Sequence, residues 1–118
     1  MKYFLWALLT VAGTAHASDW TAADTNREAA FAVLETIDLG QTRWMSKHEP
    51  RFSENVPYYG KYPSTGRVDM TFAAEYAIHF AVSRALPERY RKPFQIISIS
   101  AEAFCVGKNA RIGVKMEF

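Results

Sequence analysis

Cysteine is nearly missing from this chain: Cys105 is the only one in 118 residues. A disulfide framework and a cysteine-based zinc site each need several, so both are excluded. Glycine and proline number 6 and 5, too few for a collagen-like repeat or a low-complexity tract. Charge of one sign is lacking as well. Lys and Arg total 14 against 12 Asp and Glu, and a net charge of +2 gives no electrostatic footprint for nucleic acid. Beyond the first residues, no uncharged run nears the roughly 18 residues that mark a membrane span. The longest in the helical region are the stretches from Glu75 to Arg84 and from Lys92 to Glu102. Signatures of catalysis are missing too: there is no Gly-x-Ser-x-Gly, no phosphate-cradling glycine loop and no His-Glu-x-x-His. No motif calls for a cofactor.

What remains is the composition of one small globular domain, 49% hydrophobic and 22% charged, behind an address. Met1 to Ala17 carries one charge at Lys2, an apolar run from Tyr3 to Val11, and the small-x-small triplet Ala15-His16-Ala17. That layout predicts a signal peptide cleaved after Ala17, leaving residues 18–118 as a single helical domain. A retained anchor is the competing reading, but the run is short for a span of about 20 residues. The predicted location is exported: the periplasm, or association with a membrane.

Helical periodicity fills most of residues 18–118 and predicts an all-α fold. We expect three helices, near 21–47, 66–86 and 93–107, forming a bundle or a hairpin with an N-terminal helix packed on it. In the first, Ala30, Val33, Leu34, Ile37 and Trp44 recur at three- and four-residue steps, and Asp24 suits the positive end of the helix dipole. Ser64 or Thr65 is placed to cap the second, with Asp69 in its opening turn, and Pro87 to stop it. Pro93 fits the first position of the third helix, whose apolar face reads Phe94, Ile97, Ala101 and Phe104, and Gly107 fits its end. The tail changes period. Ile112, Val114, Met116 and Phe118 alternate with polar residues or glycine, the pattern of a strand. A single strand must add to a partner, pair with its copy in a homodimer, or lie along the helices.

Two places could carry function. The loop from Glu49 to Gly66 is long for so small a domain, and it holds Tyr58, Tyr59 and Tyr62 with Lys61 among prolines. Such amphipathic aromatics suit an envelope protein or the headgroup zone of a membrane as partner. The second place is a set of polar residues on otherwise apolar helices. Glu35, Asp38 and Thr42 share a stripe beside Gln41; Glu75 and His79 stand four apart; Ser98, Glu102, Cys105 and Asn109 follow helical spacing. Together Asp38, Glu75, His79 and Glu102 would be the ligand types of a metal held between helices. However, the spacing is Glu-x-x-x-His where di-metal bundles use Glu-x-x-His, so no metal is assigned. The plainer reading is that these residues, with Glu54 of the loop, face solvent or are hydrogen-bonded to one another in the interior, where they would fix helix register. A Cys105–His79 nucleophile pair is a weaker alternative.

The string Asp38-x-x-Gln41-Thr42, then Glu54-x-x-Pro57-x-x-Gly60-x-x-Pro63-Ser64, then Leu86-Pro87, Arg91 and Val106-x-x-Asn109 resembles a group of small uncharacterised bacterial and phage proteins. In that group the middle segment commonly reads Glu-x-Asn-Pro-x-Leu-Gly-x-x-Pro-Ser; here Val56 precedes the proline and Asn55 stands one place earlier. The resemblance implies a small helical, membrane-associated protein and no known reaction. Two functional classes follow. One is a binding protein of the cell envelope, with a phage-encoded envelope modifier as one version. The other is a small metal-dependent or hydrolytic enzyme, which would require Asp38, Glu75, His79 and Glu102 to share one pocket.

Overall fold

A computed structural model describes residues 20–48 and 63–118. The predicted signal segment, the polar candidate Glu54 and the loop candidates Tyr58, Tyr59, Lys61 and Tyr62 lie outside the described residues. Among those described there are three helices and no strand: α1 (Ala22–Lys47), α2 (Thr65–Ala85) and α3 (Glu88–Arg111).

The first two begin where their side chains can cap them. Thr21 accepts from the Asp24 backbone N–H while the Asp24 carboxylate accepts from the Thr21 N–H, a closed capping box. Ser64 accepts from the Arg67 N–H at the head of α2. Asp69 falls beyond the first turn of that helix and instead pairs with Arg43 of α1 at 3.3 Å. The turn at Leu86–Pro87 sends α3 back antiparallel to α2. Arg43–Asp69 and Glu28–His79 pair α1 with α2 in opposite senses, whereas Asp24–Arg91 and Asn109–Asp38 run α1 parallel to α3.

The third helix departs from expectation at both ends. It starts at Glu88, with Pro87 as its cap residue, so Pro93 lies inside it. The proline ring forfeits one bond to the Arg89 carbonyl in the second turn, which an otherwise anchored helix tolerates. At the far end Gly107 stays helical. The chain turns at Gly113 instead, the one described residue with positive φ, +89°. Asn109 donating to Asp38 and Gln41, and Gln41 donating to the Val106 carbonyl, hold those extra turns against α1.

Nor is the tail a strand. After Gly113 the Val114 N–H bonds back to the Asn109 carbonyl, and the Glu117 N–H reaches Gly40 of α1. Lys47 holds Glu117 at 2.6 Å, and the Phe118 ring rests where a side chain on Gly40 would be. Of the three fates open to the tail, it lies along the helices.

The larger departure concerns which face is inside. The stripe Ala30, Val33, Leu34, Ile37 and Trp44 is not the buried one; Ala30 and Val33 are exposed. Buried on α1 are Asp24, Glu28, Phe31, Glu35, Gln41, Thr42 and Met45. On α3 the predicted apolar face is outside too, with Ile97 and Phe104 69% and 72% exposed, while Arg91 and Gln95 are shut in. Only Val68 and Phe72, packed by Leu39, form an apolar nucleus of the expected kind. The polarity of the bundle is inverted.

Candidate functional site

The buried stripes share one spacing. Asp24, Glu28, Phe31, Glu35, Asp38 and Thr42 on α1 step by four and three; Arg91, Gln95, Ser98, Glu102 and Asn109 on α3 follow the same spacing, with Cys105 in the register but exposed. This 3.5-residue period keeps one side of each helix turned to its neighbour, and here that side is polar.

Three linked groups fill the interior from one end to the other. At the first, Arg91 is 1% exposed and donates to Asp24 and to the Ser83 and Leu86 carbonyls, so it ties α1, α2 and the turn together. Burial works against the Asp24 carboxylate, but bonds from Thr21, Arg27 and Arg91 outweigh it and hold its pKa below the usual value. Next, Glu28 accepts from Gln95 at 2.9 Å and from His79 Nδ1 at 3.2 Å. The His79 ring lies between Phe31 and Phe94, with centroids 3.7 and 4.8 Å away. Burial lowers its pKa, with Glu28 opposing, and the imidazole stays neutral near pH 7. At the far end Asp38, Gln41 and Asn109 form the third group. Asp38, Gln41, Val106 and Asn109 all carry the family resemblance, and these four meet.

Between the second and third groups the interior opens. Helix α1 packs on both others, whereas α2 and α3 meet only sparingly, leaving a groove of about 940 Å³ between them. Phe31, Phe72, Ile78, Phe94 and Ile97 form apolar walls. Asp38, Glu75, His79 and Glu102 all line it, joined by Glu35. Burial first, then Glu102, Glu75 and Asp38, pushes the Glu35 carboxyl up to about 8. Glu102 is raised by burial and by Glu75. The four residues required by the enzyme reading therefore do share one pocket. Yet among the described residues no three His, Cys, Asp or Glu side chains are grouped so that one metal ion could reach them. Nor does Cys105 meet His79: it lies eleven residues along α3 from Phe94, on which that ring stacks, about 16 Å of helix.

Sequence reasoning named Asp38, Gln41, Glu75, His79, Glu102 and Asn109 as a polar set on apolar helices, facing either solvent or the interior. It missed Asp24, Glu28, Arg91 and Gln95, although the 3.5-residue polar stripe was there to extend. No protein-family model matches this chain, and neither a curated protein nor a solved structure is found to be similar to it. The resemblance therefore rests on the residues that carry it.

Proposed function

We propose that the chain is an exported protein of the cell envelope that lodges its helical body in the membrane surface and acts there by binding, not catalysis. One observation carries this reading: charge is turned inward and apolar side chains outward. Between Arg27 and Arg43, between Asp69 and Arg84, and between Lys92 and Lys108, the charged residues are Glu28, Glu35, Asp38, Glu75 and Glu102. Each is buried or half-buried. The outer side of all three helices is thus uncharged for about 22 to 24 Å. It presents Val33, Met70, Ile78, Phe80, Ile96, Ile97 and Phe104, with basic residues at both ends. In water such a surface costs free energy; against acyl chains it does not. The belt is shorter than the roughly 30 Å of a hydrocarbon core. No helix among the described residues is long and apolar enough to cross a membrane. Lodging at the surface, with Arg and Lys reaching headgroups, fits both facts. The apolar leader at residues 3–11 and the resemblance support the same address.

Expression in a Gram-negative host is expected to yield a mass that begins at Ser18, and the purified protein should float with anionic lipid vesicles. Replacing Ile96 and Phe104 together with lysine should abolish flotation and leave the helical circular dichroism unchanged, because both side chains are exposed and neither lines the groove between α2 and α3. Wild-type protein that stays monodisperse at the bottom of the gradient would sink the reading.

The enzyme reading keeps one observation in its favour, the four residues in a common groove. It predicts at least one equivalent of metal in purified protein, lost in His79→Ala. On the structural reading that variant holds no less metal than wild type and is only less stable.

A further inference from the structure

The groove between α2 and α3 has the makings of a ligand site that membrane lodging does not explain. It gathers four carboxylates, Glu35, Asp38, Glu75 and Glu102, at one apolar cleft. No lysine or arginine lines it. Acidic residues in a cluster often only repel one another. Here a second observation separates the site from such a cluster.

Glu35 is 7% exposed, and its Oε2 has no hydrogen-bond partner. The Glu102 Oε2 is likewise buried without a partner. So is His79 Nε2, on a side chain also 7% exposed. With Nδ1–H given to the Glu28 carboxylate, Nε2 carries the lone pair of the neutral ring. Three groups, each with a buried atom lacking a partner, therefore line one cleft whose wall supplies no cationic donor, and the Glu35 carboxyl becomes an acceptor when a cation replaces its proton. Buried acceptors left unpaired are costly, and carboxylates more so than others. The volume is that of a small-molecule cavity, and its walls are the rings of Phe31, Phe72 and Phe94 with Ile78 and Ile97.

We propose that this groove binds a small primary amine carried on an apolar body, its ammonium donating to Glu35 and Glu102 and its apolar part lying against the phenylalanine rings. Charge complementarity and hydrogen-bond need select the head group; the walls select the rest. A divalent ion meets the charge but not the geometry, since no three ligands converge. A guanidinium would satisfy the charge too, but it suits a flat bidentate carboxylate pair better than acceptors spread over three helices. The site stands whether or not lipid covers the outer belt.

The test uses 4-phenylbutylamine, an ammonium ion at neutral pH, with 4-phenylbutanol as its uncharged counterpart, titrated into the purified chain by calorimetry. Saturable binding near one equivalent is expected for the amine, at least about tenfold tighter than for the alcohol. Glu35→Gln and Glu102→Gln should each weaken the amine about tenfold and leave the alcohol unchanged. Both variants remove like-charge repulsion, so folding is retained and circular dichroism verifies it. Amine and alcohol binding equally would reduce the groove to an apolar cleft and overturn the proposal. Failure of folded wild-type protein to bind the amine, or unchanged affinity in both variants, would do the same. Flotation on vesicles is read separately, so failure of this site and failure of the membrane reading are distinguishable.

Discussion

Arg91→Met is expected to lower the melting temperature by more than about 10 °C. The guanidinium is 1% exposed and donates to the Asp24 carboxylate and to the Ser83 and Leu86 carbonyls. Methionine fills much of the same volume, so packing is not the main loss. What is lost is the donor set. The two carbonyls close the end of α2, where no further helical turn can satisfy them, and Asp24 keeps only Thr21 and Arg27. Breaking one side of a buried ion pair costs about 3–5 kcal/mol, and each kcal/mol is worth about 4–8 °C in a domain of this size. Arg91→Lys should recover only part, because an ammonium cannot fork between three acceptors on different elements. The neighbouring Arg89 is exposed and touches only the Tyr90 ring among its described partners. Arg89→Met should therefore shift stability by no more than about 0.5 kcal/mol. Thermal melts of the three variants check this, and near-equal melting of Arg91→Met and Arg89→Met would refute it.

That arginine also shows what could be read from the chain and what could not. Helix positions were legible because their punctuation is local: Asp24 suits a helix start, Ser64 or Thr65 can cap, and Pro87 stops. The start of α3 was misplaced because Pro93 is equally at home as a first residue and as a tolerated defect in the second turn. Gly107 and Gly113 both fit a helix end, and only the packing of Asn109 on α1 decides between them. Periodicity revealed an apolar and a polar stripe on the first and third helices, but it does not say which one faces in. The usual assignment, apolar inward, holds when water is the solvent of the outer face. Here it fails for α1 and α3, and with it went Asp24, Glu28, Arg91 and Gln95, whose partners lie 51 to 71 residues away. Charges that far apart in sequence pair only once the topology is known. The acids of the groove were easier to find, because a carboxylate on an apolar helix stands out wherever it points.

Those acids should make the protein less stable as pH rises from neutral. Glu35 has its carboxyl pushed from 4.5 up to about 8, first by burial and then by Glu102, Glu75 and Asp38. The folded state thus holds a proton that the unfolded chain releases near 4.5, so stability is lost as pH climbs from about 4.5 through 8. The shift corresponds to an effect on the order of 5 kcal/mol, and Glu102 acts in the same direction. His79 opposes this at lower pH. Its pKa is depressed in the fold, so its contribution is lost as pH falls below about 6.5. His79 opposes the carboxyls only until its unfolded form is neutral, by about pH 7.5. A net fall in stability between pH 6.5 and 8 therefore belongs to the groove carboxyls. Glu35→Gln keeps the shape and removes the titration, so the melting temperature should hold nearly level across that window while the wild type falls by several degrees. The variant should also be the more stable protein at pH 8, an unusual outcome for a substitution at a residue 7% exposed. Wild-type stability that is flat or rising over the window would mean that the four carboxylates do not crowd one cleft. If the slope is seen and 4-phenylbutylamine flattens it as Glu35→Gln does, the ammonium and the proton are competing for the same oxygen.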